Sequence, residues 1–286
     1  MTGQELIDEA VEVLEASDAI DHWQNDRERI EAEELLDHLV GPDWTAEDDI
    51  PASAARRFRA LISRRATGEP VPYIKGYAEF RRLRLIARRG VFVPRDSTEF
   101  LAEQAVRRLR PRRHPVHVDL ATGSGPVALA VGNEVPGAEV HGADLATLPI
   151  RVARQNARRL GLTVHFHRGD LFGPLPGRLA GRVDVVTFHP PYVGRREVRT
   201  LPAEVLAFEP LESLTDHSPR GLGLIERTAE EAWDWLRPGG WLLVEVSPDR
   251  SRSVAVLLRR AGYADVRSTK GGIAVTRVLT ARAGAR

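Results

Sequence analysis

The stretch Val118–Val131, VDLATGSGPVALAV, passes from an apolar run into a glycine-rich turn and then into a second apolar run. The first run reaches Asp119, glycines follow at 123 and 125, and Pro126 stands where a helix would begin. Glycine lets backbone N–H groups approach a ligand closely, and proline is tolerated at the first position of a helix. The stretch therefore predicts a strand, a ligand-binding turn and a helix.

Acidic residues end the next two predicted strands. Asp144 ends AEVHGADL, about 20 residues after the glycines, where a carboxylate typically holds ribose hydroxyls. Asp170 ends TVHFHRGDL. Each feature alone is common, because a strand-end Asp often only caps a helix and a glycine-rich turn is often only a turn. Together with Asp119 they favour a nucleoside pocket, while the spacing Gly123-x-Gly125-x-x-Ala128 leaves a nicotinamide-dependent oxidoreductase as an alternative.

The fourth predicted strand ends in an unusual way, within DVVTFHPPYVG, Asp184–Gly194. Consecutive prolines lack N–H donors and fix φ, so ladder pairing cannot continue through them. Their carbonyls stay free at a rigid strand end beside His189 and Tyr192. Carbonyl acceptors and an aromatic face suit a planar, hydrogen-donating substrate group better than they suit hydride transfer.

The alternation of strands and helices after Asp96 predicts an α/β fold, a doubly wound and mostly parallel sheet of seven strands. Ligands of such sheets bind at the carboxyl ends of the strands. Before it, apolar residues at helical spacing predict a small N-terminal helical bundle, with helices ending at Gly41-Pro42 and Gly68. The predicted domains are 1–76 (helical), 77–95 (a β-hairpin linker) and 96–286 (α/β). The hairpin is expected to turn at Arg89-Gly90, with Val91 and Val93 in its second strand.

Composition is that of an ordinary globular chain, with 42% hydrophobic and 28% charged residues. Cysteine is absent, which excludes disulfides, thiolate catalysis and thiolate-bound zinc. A polar start and the lack of a long apolar run predict a cytoplasmic protein without a membrane partner. Residues 1–50 carry 17 acidic and two basic side chains, and residues 51–114 carry 17 basic and five acidic ones. This split indicates either a surface for RNA or two charged faces that neutralise each other, and the second is favoured.

The chain resembles the class I S-adenosylmethionine methyltransferases, and more specifically the release-factor glutamine N5-methyltransferases. The resemblance rests on LATGSG, GADL, GDLF and HPPYV in the family's order and spacing. Further matches are GEPVPYIKGYAEF, VFVPRDSTEFLAE, FEPLESL and LRPGGWLLVEV. It covers nearly the whole chain, and it implies S-adenosylmethionine as cofactor, S-adenosylhomocysteine as product and a release factor as partner.

The resemblance also implies roles for individual residues. The glycine turn would wrap the methionine part of the cofactor, Asp144 would hold the ribose, and Leu171 would lie against the adenine. The family's Asn-Pro-Pro-Tyr binds the substrate amide through the Asn oxygen and the first proline carbonyl, with Tyr on the amide plane. The residues implied at the cofactor are Ala121, Thr122, Gly123, Ser124, Gly125, Asp144, Asp170, Leu171 and His189. Those implied at the acceptor are His189, Pro190, Pro191, Tyr192 and Glu209, and of these His189, Pro190 and Tyr192 are the predicted catalytic residues.

His189 stands where the resembled family has Asn. A neutral imidazole has one acceptor nitrogen and a protonated one has none. His189 can therefore imitate the Asn oxygen in one tautomer, act as a base toward a different protein or a small-molecule nucleophile, or leave the chain a cofactor-binding adaptor without turnover. An adenine methyltransferase of nucleic acid, which also uses an Asn/Asp-Pro-Pro-aromatic motif, is a further and less favoured alternative. The pair His165-x-His167 lacks an apparent third ligand, so no metal is expected.

Overall fold

The computed structural model describes residues 1–22, 25–271 and 276–284. The chain divides into two compact units. The first comprises Met1–Ala78, Ala87–Arg89 and Thr200–Glu209, and the second comprises the other described residues. A segment from the second half of the chain thus belongs to the N-terminal unit.

The first unit is helical, as its periodicity predicts. Its first helix, α1 (Gly3–Glu15), begins with a capping box in which the Thr2 hydroxyl accepts the N–H of Glu5 and the Glu5 carboxylate accepts the N–H of Thr2. The third helix ends at Arg65, before the predicted Gly68, and a short fourth helix was not predicted. The remaining helices are α2 (Arg27–Val40), α3 (Ala52–Arg65), α4 (Val71–Lys75) and, from the later segment, α8 (Ala203–Phe208).

The predicted position of the hairpin turn is wrong. Strands β1 (Tyr77–Phe80) and β2 (Leu83–Ile86) pair with each other and turn at Arg81-Arg82, not at Arg89-Gly90. Arg81 adopts a φ of 54°, where its N–H is bound by Glu99 and its guanidinium by Glu134. Val91 and Val93 are buried without belonging to a strand.

The second unit contains a seven-stranded sheet in the order β5-β4-β3-β6-β7-β9-β8. Strands β3 to β7 run parallel, and β9 is antiparallel to both of its neighbours. The predicted fold class, α/β with a mostly parallel sheet, is confirmed. The strands are β3 (Val116–Leu120), β4 (Glu139–Asp144), β5 (His165–Arg168), β6 (Val183–Phe188), β7 (Leu236–Val246), β8 (Ala264–Lys270) and β9 (Arg277–Arg282). Part of the stretch predicted as the last strand, residues 273–275, lies outside the described residues.

Helices cover both faces of this sheet. Successive side chains of a strand point to opposite faces. In β7, Leu242 and Val244 belong to one hydrophobic cluster, and Trp241 and Leu243 pack with another. One cluster includes α9 (Gly223–Trp235) and α10 (Pro248–Arg260), and the other includes α5 (Glu99–Leu109), α6 (Pro126–Glu134) and α7 (Thr147–Leu160). The sheet is therefore doubly wound. Across the described residues, no helix is long and apolar enough to cross a membrane.

Candidate active site

The glycine turn lies between the end of β3 and the start of α6 at Pro126. Gly123 and Gly125 both have positive φ angles, 57° and 87°. A Cβ added to Gly125 would lie 2.8 Å from the Phe166 ring, so packing alone requires this glycine. A Cβ added to Gly123 would meet nothing within 4 Å. The turn therefore has open space beside Gly123, and a ligand can approach the backbone there.

Asp119 supports the turn from inside the protein. Its two carboxylate oxygens accept hydrogen bonds from the hydroxyls of Thr122, at 2.6 Å, and Thr187, at 2.7 Å. Burial raises the pKa of Asp119 to about 6. Nε2 of the buried His117 lies 2.9 Å from the Thr187 hydroxyl and continues the network. Because Asp119 is used in this way, it is not one of the acids that face a ligand.

Asp144 ties the end of β4 to the glycine turn. One carboxylate oxygen accepts the N–H of Gly123 and the other accepts the N–H of Ala146, both at 2.9 Å. Burial raises the pKa of this carboxyl. The backbone N–H of Thr122 also donates to the carbonyl of Ala143, at 3.0 Å. The structure thus brings together the turn and the acid that the sequence spacing connected.

Asp170 and Leu171 have different environments. Asp170 is exposed and accepts a hydrogen bond from Arg227 at 2.8 Å. Leu171 has a φ of 42° and is buried in the hydrophobic core. The N–H of Gly169 donates to the carbonyl of Asp144 at 3.0 Å, which places this loop next to the β4 acid.

The His-Pro-Pro-Tyr segment directly follows β6. The His189 side chain is 17% exposed to solvent, and its Nδ1 lies 3.2 Å from the hydroxyl of Thr98. Phe92 meets the imidazole edge-on, with ring centroids 5.8 Å apart, and Tyr192 stacks at 6.0 Å. Pro190 is buried. These contacts fix the plane of the His189 ring.

Tyr192 is held by the loop that follows it. It forms an antiparallel bridge with Thr215, and the N–H of Val193 donates to the carbonyl of Leu214 at 2.9 Å. Burial, with a contribution from the negative charge of Glu245, raises the pKa of the Tyr192 phenol to about 12. The phenol is therefore neutral at physiological pH, and Tyr192 presents an aromatic ring and an uncharged hydroxyl.

Glu245 is a site residue that the sequence reasoning missed. Phe188 pairs in register with Val244, so the next residues along β6 and β7 are His189 and Glu245. Glu245 is fully buried, and its Oε1 accepts hydrogen bonds from Ser97, at 3.1 Å, and Thr276, at 2.8 Å. The signal available in the sequence was a charged residue inside the apolar strand LLVEV, next to the strand that ends in His189.

The other predicted residues lie elsewhere. Glu209 belongs to the first unit, where it is buried at the end of α8, whereas the other predicted site residues belong to the second unit.

Nε2 of His167 lies 3.0 Å from Nδ1 of His141, and burial lowers the pKa of His167 to about 4. Within the described ranges, His, Cys, Asp and Glu residues form no group of three that could hold a metal ion.

Comparison with known proteins gives consistent relatives along the chain. Residues 5–76 match the family described as PrmC N-terminal domain, and residues 82–217 match the methyltransferase small domain. A release factor glutamine methyltransferase of Bordetella pertussis is 36% identical over 255 residues, covering 87% of this chain and 93% of the relative. One of Moorella thermoacetica is 35% identical over 269 residues, covering 92% and 91%.

Solved structures show the same fold at lower identity. A methyltransferase from Pyrococcus furiosus superposes with a TM-score of 0.51 at 18% identity, covering 71% of this chain and 90% of that one. The T. thermophilus 16S rRNA N2 G1207 methyltransferase, in complex with AdoMet and guanosine, superposes with a TM-score of 0.53 at 19% identity. That match covers 72% of this chain and 49% of the other.

Proposed function

Because this chain belongs to the family of release factor glutamine methyltransferases, we propose that it methylates the side-chain amide of a glutamine in a release factor. It is an S-adenosylmethionine-dependent methyltransferase. The observation that carries the choice of acceptor is the segment His189–Tyr192, which places an imidazole, two proline carbonyls and an aromatic ring at one strand end.

The residues around the glycine turn fit the cofactor. The space beside Gly123 admits a ligand to the backbone, and Asp144 is fixed next to it by two backbone N–H groups. Each oxygen of this carboxylate keeps a lone pair for a ribose hydroxyl. Ala121–Gly125 would hold the methionine part, Asp144 the ribose and Leu171 the adenine. When bound, S-adenosylmethionine supplies a methyl group on a positively charged sulfur.

The acceptor nitrogen has to be positioned, because an amide nitrogen shares its lone pair with its carbonyl. The rotation barrier of about 18–20 kcal/mol in a peptide bond measures how strong this sharing is. His189 accepts one N–H of the acceptor amide and the Pro190 carbonyl accepts the other, while the Tyr192 ring packs on the amide plane. Two fixed N–H groups orient the nitrogen toward the methyl group, and orientation of this kind is a large part of catalysis.

The loop after the motif also helps to position the acceptor amide. Thr215 and Leu214 hold Tyr192 and Val193 through main-chain contacts. The aromatic ring is thereby fixed before the acceptor binds, so less conformational freedom is lost on binding. Glu209, predicted on the acceptor side, is buried in the first unit and directly precedes the start of this loop in the sequence.

The test is methyl transfer from labelled S-adenosylmethionine to a purified release factor. Mass spectrometry of the product peptides should find a methyl group on a glutamine side chain, and changing that glutamine to alanine should abolish labelling. A His165→Ala variant, changed at an exposed residue away from the motif, is the matched control and should label normally. Labelling of any other residue type would overturn the proposed acceptor.

A further inference from the structure

We propose that Glu245 is a positioning residue, whose buried carboxylate holds His189 in the tautomer that presents Nε2 as a hydrogen-bond acceptor to the methyl acceptor. This inference rests on the proposed function only for its kinetic test. It concerns a buried residue of the second unit to which the sequence analysis assigned no role.

The first observation is an incompletely satisfied buried carboxylate. Glu245 has no exposed side-chain surface, and its Oε1 accepts two hydroxyl hydrogen bonds, from Ser97 and Thr276. Among the residues that the structure describes, its Oε2 has no hydrogen-bond partner. A buried carboxylate oxygen without a donor is costly, and such groups in native proteins call for an explanation.

The second observation is what lies in front of that oxygen. Oε2 is 3.8 Å from Nδ1 of His189. This distance is too long for a hydrogen bond, but the Thr98 hydroxyl, 3.2 Å from Nδ1, can accept the proton that Nδ1 would carry. Because an ionised carboxylate only accepts, the nearby negative charge favours a proton on Nδ1. The neutral ring then leaves Nε2 unprotonated.

The third observation is that the ring cannot easily turn to exchange its two nitrogens. Phe92 contacts one edge of the imidazole and Tyr192 stacks on its face. Arg95 lies over the ring of Phe92, with its guanidinium carbon 4.7 Å from the ring centroid. In the described part of the chain Nε2 has no hydrogen-bond partner, so it is the ring nitrogen available to an acceptor N–H.

The arrangement solves a problem that histidine creates at this position. An Asn side chain always has an oxygen acceptor, whereas a neutral histidine has an acceptor at Nε2 in only one of its two tautomers. A carboxylate behind Nδ1 selects that tautomer, as in other sites where a buried acid orients an imidazole. Glu245 thus makes His189 equivalent to an amide oxygen toward the substrate.

The direct test is ¹⁵N NMR of the ring nitrogens of His189 in the free protein at neutral pH. We expect a protonated, pyrrole-type Nδ1 and an unprotonated, pyridine-type Nε2. In Glu245→Gln and Glu245→Asp the Nε2-protonated tautomer should become populated. A wild-type Nε2 that carries the proton would overturn the inference, as would an unchanged tautomer in both variants. This readout needs no methyl acceptor, so it is independent of the proposed function.

The kinetic test is a double-mutant cycle with release factor as acceptor. Glu245→Gln should lower kcat at least about tenfold in the His189 protein, since loss of one preorganised hydrogen-bonding group costs about 10²–10³-fold and the variant loses it only in the fraction with the wrong tautomer. In a His189→Asn background, where no tautomer exists to be selected, the same change should lower kcat less than about twofold. Equal losses in both backgrounds would mean a merely structural role and would overturn the inference.

The matched control is Glu139→Gln. Glu139 also lies beside an imidazole, with its Oε1 3.0 Å from Nε2 of His141. It is the first residue of β4, at the opposite end of the strand from Asp144. It should leave kcat and the His189 tautomer unchanged. Melting temperature and affinity for S-adenosylhomocysteine, measured for each variant, identify any change that comes from unfolding.

Discussion

Arg65 and Glu204 are 139 residues apart in sequence, yet Nη2 of Arg65 donates to Oε2 of Glu204 across 2.8 Å in a buried setting. Arg65 has no exposed side-chain surface. Arg27 makes two further hydrogen bonds to the same carboxylate, at 2.8 and 3.0 Å. This pairing fastens the segment that follows the candidate active-site motif into the helical unit.

The first prediction concerns that pairing. Glu204→Ala removes one of the two carboxylates that Arg27 and Arg65 share and leaves Glu31 to both. Breaking a buried pair costs about 3–5 kcal/mol, and the remaining Glu31 sets that range as the upper bound. We expect a clear loss in the free energy of unfolding, measured by urea denaturation. Glu69→Ala is the control, since the pair Arg64–Glu69 is more exposed and should cost less than about 1 kcal/mol. Equal costs for the two variants would contradict the assigned role of Glu204.

The second prediction separates the two glycines of the turn. Gly125→Ala places a Cβ 2.8 Å from Phe166 and should destabilise the fold. Gly123→Ala meets no neighbour and should cost only about 1–2 kcal/mol for its left-handed backbone. Gly123→Val should nevertheless weaken binding of S-adenosylhomocysteine strongly, because its side chain enters the space left for the ligand. Calorimetric titration and thermal melting measure the two effects, and unchanged affinity in Gly123→Val would contradict the placement of the cofactor.

The third prediction compares two acids at strand ends. Asp144→Asn replaces one acceptor oxygen by an NH2 group, so one of the N–H groups of Gly123 and Ala146 loses its acceptor. Affinity for S-adenosylhomocysteine should fall about tenfold or more, since hydrogen bonds to charged groups contribute about 1.5–3 kcal/mol. Asp170→Asn, changed at an exposed residue paired with Arg227, should have a smaller effect. The reverse order would show that Asp170 is the more important cofactor ligand.

The fourth prediction follows from the raised pKa of Asp119. This pKa, about 6 in the folded protein, lies above the unfolded value of about 3.9, so the folded state binds the proton more tightly. The contribution of Asp119 to stability is therefore fully present below about pH 4 and is lost as the pH rises through about 6.

Between pH 4 and 7, wild type should lose up to about 3 kcal/mol of unfolding free energy relative to Asp119→Asn, whose side chain does not titrate. Urea denaturation of both proteins across this range measures the difference. A difference that is constant with pH, or that changes in the opposite direction, would refute the buried, proton-binding environment of Asp119.

Local sequence signals were sufficient for the fold and for the placement of Asp144 beside the glycine turn. Val118–Val131 predicted the strand, turn and helix, and the spacing to Asp144 predicted an acid beside the turn, because both depend on residues close in sequence. The hairpin turn was wrong because Arg81 is held at its positive φ by Glu99 and Glu134, which are distant contacts. A local pattern favoured Gly90 instead.

The contacts that the sequence did not reveal are those between distant strands and segments. Glu245 meets His189 only because β6 and β7 pair in a particular register. Arg65 and Glu204 meet only because a late segment packs into the N-terminal unit. The hydrophobic periodicity of a sequence specifies neither which residues of two strands pair nor where a distant segment packs. A single sequence therefore gives no direct sign of these two pairs.

The most direct measurement of the central claim is the rate of methyl transfer to a release factor by wild type, His189→Asn and His189→Ala. We expect wild type to methylate a glutamine, His189→Asn to remain active because its amide oxygen accepts the same N–H, and His189→Ala to lose about 10²-fold or more in kcat, as when one stabilising hydrogen-bond group is removed. A silent wild type with an active His189→Asn would contradict the account, since the natural acceptor would then be a different nucleophile.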